Sequence, residues 1–359
     1  MPAQARLLSL ATAVPPYRLR QVEVARLALE LFDGKGSEIE RLLPVFAHAG
    51  IETRYSCVPL DWYLRPHGWA ERSRLYVENA VELLTAATET CLARAGAALG
   101  EIGCIVMVST TGIATPSLDA LLMERLGLRR DTRRLPVFGL GCGGGVIGLS
   151  HAAAMAGAAP GGKVLLLVVE LCGLTFRHGD QSNGNIVATA LFGDGAAAAL
   201  IGCDGDGPAL GPGGAHTWPR SLDVMGWRVA DDGLGVLFSR DIPELVRNEL
   251  RGVTDSFLAG HDLTLADIDR LVCHPGGAKV LNALEETFGQ TRGAMTEARS
   301  VLRDYGNMSA ATVLFVLERV LRTGAARLGE ASGGARAGRL LLSALGPGFT
   351  AGFQILEAA

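Results

Sequence analysis

Phe138-Gly139-Leu140-Gly141-Cys142-Gly143-Gly144-Gly145 holds a strand end, a tight glycine turn and a helix start within one short segment. The apolar run Leu135 to Leu140 leads into Cys142, and a helix of very small residues, Val146 to Ala158, leads away from it. Two distant segments share this glycine-rich setting: Val272-Cys273-His274-Pro275-Gly276-Gly277 and Tyr305-Gly306-Asn307-Met308-Ser309. Laid side by side, Leu99-Gly100-Glu101-Ile102-Gly103-Cys104-Ile105-Val106 resembles Leu265-Ala266-Asp267-Ile268-Asp269-Arg270-Leu271-Val272. Cys142 before its helix answers to Asn307 before the helix Ala311 to Leu321. Both offsets are about 165 residues, too long for a solenoid and suited to a duplicated domain. Gly193-Asp194-Gly195 plus an apolar strand closes the first half, and Gly346-Pro347-Gly348 plus an apolar strand closes the second. The expected architecture is two similar α/β halves, residues 1–205 with the cysteine and 206–359 with the histidine and asparagine, building one site together.

Strand-like and helix-like runs alternate, which sets the class as α/β. Arg6–Ala11, Ile102–Ser109, Leu135–Leu140, Val164–Val169, Ile268–Cys273 and Leu340–Leu345 read as strands. Gln21–Phe32, Trp69–Ala95, Val146–Ala158, Ile242–Leu258 and Ala311–Leu321 read as helices. The helix Val146–Ala158 is apolar almost all round, which predicts burial on every side. Asp204 to Pro219, rich in Gly and Pro, reads as the domain boundary.

The chain has 359 residues, 48% hydrophobic and 19% charged, enough for a large core. Net charge is −4 and no Lys/Arg-rich run appears, which speaks against nucleic acid and anionic membranes as partners. Gly is abundant at 47 residues while aromatics are 6%, a composition that suggests closely approaching backbones. Met1 to Ser9 lacks the shape of a signal peptide, and no apolar stretch reaches the length of a membrane span. The seven cysteines are odd in number and form no C-x-x-C pair, so the expectation is a reduced, cytoplasmic protein with no disulfide framework and no metal site. Cys104 and Cys273, at strand ends, read as core.

A cysteine at a helix N-terminus meets unpaired N–H groups and the positive end of the dipole, and both favour the nucleophilic thiolate. A facing histidine lowers the thiol pKa further through an ion pair, or takes its proton. Gly143, Gly144 and Gly145 would leave backbone N–H groups open to an oxyanion. Pro275-Gly276-Gly277 stops a strand and aims His274 into a cleft, and the Asn307 amide donates beside it. Such His and Asn donors stabilise an enolate, which is what decarboxylation of a malonyl thioester requires. Taken singly, Cys142 reads as structural, His274 as a satisfied strand-end histidine and Asn307 as a helix cap; their matching placement argues otherwise. One rival remains on the page. Gly139-Leu140-Gly141-Cys142-Gly143-Gly144 fits G-x-G-x-x-G, and the next strand ends in Glu170, the outline of an NAD-binding unit of an oxidoreductase. Against it, the cysteine fills the turn where pyrophosphate should approach.

At these segments the chain resembles a type III polyketide synthase of the chalcone and stilbene synthase family, as a bacterial-type member, over nearly its full length. Thr12-Ala13-Val14-Pro15, Ser109-Thr110-Thr111-Gly112 with Pro116, Leu191-Phe192-Gly193-Asp194-Gly195, His274-Pro275-Gly276-Gly277, Gly306-Asn307-Met308-Ser309 and Gly346-Pro347-Gly348 carry the resemblance. It implies a thiolase-like αβαβα layered fold, a homodimer, no bound cofactor, and direct use of an acyl-CoA starter and malonyl-CoA. Cys142 would carry the acyl chain, and His274 and Asn307 would promote decarboxylation and hold the enolate. Phe192 matches a gatekeeping phenylalanine. Thr110, Thr111, Cys172, Thr175 and Gly226 match cavity-shaping positions, with Ser309 beside the asparagine. Val236 aligns with a second gatekeeping phenylalanine, and Thr115 stands where plant members carry a bulky Met. Arg54 is the one good match to the basic residues at the CoA phosphates. Smaller residues at Val236, Thr115 and Cys172 point to a long-chain fatty acyl starter and alkylpyrone or alkylresorcinol products. The alternatives are a ketoacyl synthase III-like condensation using an acyl carrier protein, and a silent binding member of the fold.

Overall fold

The computed structural model describes residues 4–32, 44–159, 161–324 and 338–357; the very start and end of the chain lie outside these. The strands of the first part are β1 (Arg6–Ala13), β2 (Tyr17–Arg20), β3 (Thr53–Ser56), β4 (Ile102–Val108), β5 (Arg133–Val137), β6 (Lys163–Leu171) and β7 (Asp194–Gly202). Those of the second are β8 (Ala209–Thr217), β9 (Met225–Ala230), β10 (Gly233–Phe238), β11 (Arg270–Cys273), β12 (Arg339–Gly346) and β13 (Thr350–Glu357). The helices used below are α1 (Gln21–Leu31), α2 (Trp69–Ala95), α3 (Gly144–Ala158), α4 (Asn183–Leu191), α5 (Ala278–Thr287) and α6 (Thr312–Gly324).

Nine strands form one sheet in the order β11-β12-β13-β8-β1-β7-β6-β4-β5. From β4 inward the pairings are parallel to β6, then antiparallel to β7 and β1. From β11 inward they are parallel to β12, then antiparallel to β13 and β8. The two portions therefore repeat one strand order. They meet at a narrow seam, where β1 and β8 share the single register pair Arg6 and Ala209.

Helix α3 packs on β4, β6 and β7 of one portion and on β8, β12 and β13 of the other, and α6 likewise touches β1, β7, β11 and β12. These two helices form the middle layer. Helix α2 covers the outer face of the first portion against β1, β6 and β7. The layering is the thiolase-like αβαβα arrangement. Sequence explains it locally. β6 reads Lys-Val-Leu-Leu-Leu-Val-Val-Glu-Leu, apolar on both faces, as a strand sandwiched between helix layers must be. Leu165, Leu166 and Leu167 are fully buried, each worth about 1.5–3 kcal/mol relative to exposure. Beside it β7 offers Ala196 to Ala199, small enough to let a 27-residue helix lie close. Gly96 ends that helix in the left-handed region at φ 61°.

Two expectations are corrected. The Gly/Pro-rich stretch Asp204–Pro219, which carries the boundary, is mostly ordered as strand β8, and only Asp204–Pro208 and Trp218–Pro219 lie outside it. Pro212 donates no ladder hydrogen bond, and the sheet accommodates it at an irregularity opposite Gln354–Leu356. Helix α3 is buried on all sides only in its first half; His151, Ala154 and Ala158 are exposed. Among the described residues no helix is long and apolar enough to cross a membrane.

Candidate active site

Cys142 sits in the tight turn Gly141–Gly143 that opens α3. The turn is held from beneath by Thr110, whose hydroxyl accepts the Gly141 N–H at 3.1 Å. It is closed from above by the Gly346-Pro347-Gly348 turn, since a methyl added at Gly141 would lie 2.6 Å from the Pro347 ring. Gly348 takes φ 96°, the left-handed conformation that glycine permits. Pyrophosphate has no room in a turn covered this way. Glu170, the acid of the dinucleotide reading, is fully buried and points at Cys142's neighbours, so that reading falls.

His274 follows β11, and Asn307 precedes the turn Ser309–Ala311 that starts α6. Cys142, His274 and Asn307 line one cavity of ≈ 30 Å³, room for a water or two. The His274 ring is buried and neither nitrogen has a partner. The Asn307 Oδ1 accepts the Ser309 N–H at 2.8 Å, which turns the amide NH₂ toward Gly276 O, 3.2 Å away, and the cavity. Its backbone bridges to the Phe192 segment: Asn307 N–H donates to Leu191 O at 2.8 Å, and Gly193 N–H donates to Asn307 O at 3.0 Å. Ser309, at φ 46°, occupies the left-handed region that costs a non-glycine residue strain. Ser309 and Asn307 both interact with the Cys142 sulfur.

Electrostatics here differ from the helix-terminus expectation. Burial pushes the Cys142 thiol up to about 12, against the hydrogen bonding of Ser309 and Asn307. Burial likewise holds His274 down at about 3. Burial thus favours the neutral thiol and the neutral imidazole, each on its own account. Two of the three glycine N–H groups are not open either: Gly143 donates to Leu140 O and Gly144 to Gly141 O.

Glu170, which the sequence suggests only as the acid of a dinucleotide unit, belongs to this site instead. Its Oε2 accepts the Thr110 N–H at 3.0 Å and the Thr111 hydroxyl at 2.8 Å, while Oε1 has no partner. Burial lifts its carboxyl to about 7, the Thr110 and Thr111 bonds opposing. Thr110 and Thr111 are thus buried posts joining the ends of β4 and β6 to the cysteine turn. Thr111 also accepts the Leu171 N–H at 2.9 Å.

Phe192, Cys172, Thr175 and Val236 line a second, mostly apolar cavity, whose far wall is Leu19, Val24, Leu27 and Leu31. The Cys142 and Cys172 thiols are close enough to interact. Gly226 faces Pro347, with a built Cβ 3.9 Å from that ring. Thr115 is exposed. Val236 is not alone on its strand face: Phe238, two residues along it, lies 5.9 Å from the Phe192 ring and lines the Cys142 cavity. Trp227, the cross-strand partner of Val236, stands 6.1 Å from Phe192. As residues two apart on strand β10, Val236 and Phe238 share one face. One assignment changes. Arg54 does not face phosphate. It is buried, and its guanidinium donates to the carbonyls of Thr189 (2.7 Å), Ala190 (2.7 Å) and Phe192 (2.9 Å) and to the Gln21 side chain. It caps the C-terminal end of α4, where free carbonyls and the dipole favour a cation.

Comparison with known proteins completes the picture. Residues 2–205 match the model described as "Chalcone and stilbene synthases, N-terminal domain", and residues 215–358 match its C-terminal counterpart. The chain is 36% identical over 358 residues to a putative chalcone synthase of Bacillus subtilis (strain 168), covering 96% of each. It is 37% identical to a 1,3,6,8-tetrahydroxynaphthalene synthase of Streptomyces peucetius subsp. caesius, covering 96% of this chain and 91% of that one. Among solved structures, 1,3,6,8-tetrahydroxynaphthalene synthase from Streptomyces coelicolor A3(2) superposes with a TM-score of 0.89 at 26% identity, over 98% of this chain and 99% of that one.

Proposed function

This chain belongs to the chalcone and stilbene synthase family, the type III polyketide synthases, and from that premise we propose that it condenses malonyl-CoA onto an acyl-CoA starter carried on Cys142. The single observation that supports this most is the convergence of Cys142, His274 and Asn307 on one cavity from three distant segments. His274 accepts the thiol proton as the sulfur attacks the starter carbonyl. The departing CoA thiolate takes that proton, leaving an acyl thioester on Cys142. Malonyl-CoA then loses CO₂, and its bonding electrons form an enolate whose oxygen receives hydrogen bonds from His274 and the Asn307 amide. The enolate carbon attacks the acyl-Cys carbonyl, the C–S bond breaks, and the sulfur is free for the next cycle. A neutral, buried imidazole suits both tasks, since one nitrogen accepts while the other donates.

For the starter we propose a long-chain fatty acyl group closing to an alkylpyrone or alkylresorcinol. The aliphatic wall of Leu19, Val24, Leu27 and Leu31 beyond Cys172 supports it. The aromatic screen of Phe192, Phe238 and Trp227 favours a second reading, a short starter and a small phenolic product, in line with the 1,3,6,8-tetrahydroxynaphthalene synthases among the relatives. Incubation with malonyl-CoA and a graded series of acyl-CoA starters separates them, with products identified by mass. Cys142→Ala should abolish every product and Cys273→Ala should leave most activity. Acceptance of only aromatic or very short starters sinks the fatty acyl proposal, and dependence on an acyl carrier protein sinks direct use of CoA esters.

We also propose that the units divide at residues 205 and 206, in keeping with the repeated strand order. A homodimer is proposed through the β5 edge, which closes one side of the sheet and is flanked by Ile113 and Phe138, 56% and 57% exposed.

A further inference from the structure

Between Asp241 and Gly260 the buried residues fall at Ile242, Val246, Leu250, Thr254 and Leu258, every fourth position. An α-helix advances about 400° over four residues, so such a stripe slips about 40° per step and about 160° by Leu258. That exceeds the roughly 100° face a surface helix buries. The helix resolves the conflict with one wide π turn, Val246–Leu250, between the α-helical turns Ile242–Leu245 and Arg251–Ala259. The extra residue in that turn swings the stripe back by about one residue's rotation, roughly 100°. Exposed Arg247, Asn248 and Glu249 form the outer side of the bulge.

The wide turn is pinned to α5. Thr287 donates its hydroxyl to the Val246 carbonyl at 3.2 Å, and Arg247 pairs with Glu286 at 2.5 Å. Its product is a placement: Leu250 and Ile242 both reach the wall of the Cys142 cavity, beside Val280 and Leu284 of α5. In an unbroken α-helix the two would stand about 80° apart; the wide turn brings them to within about 20°.

We propose that the wide turn at Val246–Leu250 is a specificity-determining device, which holds Leu250 beside Ile242 against the Cys142 cavity and so sets how long an acyl chain that cysteine can carry. The inference rests on the reading of Cys142 as the acyl carrier. Its test does not require turnover: alkylation of Cys142 by straight-chain maleimides, from N-ethyl to N-dodecyl, followed by peptide mapping. The wild-type protein should show a tail length beyond which labelling falls. Leu250→Ala should move that fall to longer tails, with a roughly tenfold or greater gain, relative to the N-ethyl probe, for probes just past the wild-type limit. Leu250→Phe should move it to shorter tails, and Glu249→Ala should leave it in place. Unchanged length profiles in Leu250→Ala and Leu250→Phe, with wild-type melting, would overturn the proposal. If the labelling profile shifts as expected while no variant, nor the wild type, makes polyketide, the wall is as described and the condensation reading is what fails.

Discussion

Glu170 shows how a residue's chemistry is decided by the neighbours it meets. Read along the chain it is an acid at a strand end; folded, it is a carboxyl lifted to about 7 by burial. An unfolded glutamate releases its proton near 4.5, so between about 4.5 and 7 the folded chain binds more protons than the unfolded one. Stability contributed by this group is therefore present below the unfolded pKa and declines as pH rises through the window, by on the order of 3 kcal/mol. His274 runs the other way: held at about 3, it favours the fold as pH rises from there toward 6.5. Glu170→Gln removes only the declining limb. In denaturant titrations its stability should gain on the wild type by about 2 kcal/mol or more between pH 5 and pH 8; a constant gap between the two proteins would refute the assignment. The segments carrying Cys142, His274 and Asn307 were legible because glycine and proline mark where a chain must turn tightly. Phe238 and the true setting of Arg54 were not, since an alignment position does not say which side of a strand or which helix end a side chain will meet.

At the scale of elements, legibility followed composition. β4, β6 and β12 are continuous apolar runs, and such runs admit few alternatives. β8, which falls in the stretch read as a domain boundary, carries three glycines and a proline yet pairs along its length with β13, because its partner and not its own propensity dictates the strand. The hairpin β9–β10 alternates too weakly to stand out. Helix α3 owes its position to glycine: a methyl at Gly145 would lie 2.2 Å from the Ala310 carbonyl oxygen at the start of α6's turn. Gly145→Ala should cost about 3 kcal/mol or more by chemical denaturation. Gly100→Ala, where a methyl meets nothing within 4 Å, should stay within about 0.5 kcal/mol of wild type.

For the whole molecule, the open β5 edge and its flanking Ile113 and Phe138 bear on assembly. Sedimentation should show a dimer, and Ile113→Asp with Phe138→Asp should shift it to monomer while the far-ultraviolet spectrum is kept; a wild-type monomer at micromolar concentration would exclude the interface. Within one chain, the halves are held by few ladder bonds at the seam and by many side-chain links elsewhere. Arg94 of α2, for example, binds Glu318 of α6 at 2.6 Å, and Thr12 of β1 binds the same carboxylate at 2.7 Å.

The joint around Cys142 also limits how this chain can vary by descent. Gly145 faces Ala310 O, Gly193 faces Tyr305 O at 2.5 Å, and Gly346 faces Leu140 O at 2.3 Å, each measured from the methyl that is not there. In every case the obstacle is main chain, which no compensating side-chain replacement on the other half can clear. A lineage may therefore rewrite the cavity walls one residue at a time, at Val236, Phe238 or Leu250, and explore new products freely. It cannot drift at these three glycines, because no single-step neighbour of the sequence keeps the two halves in contact there.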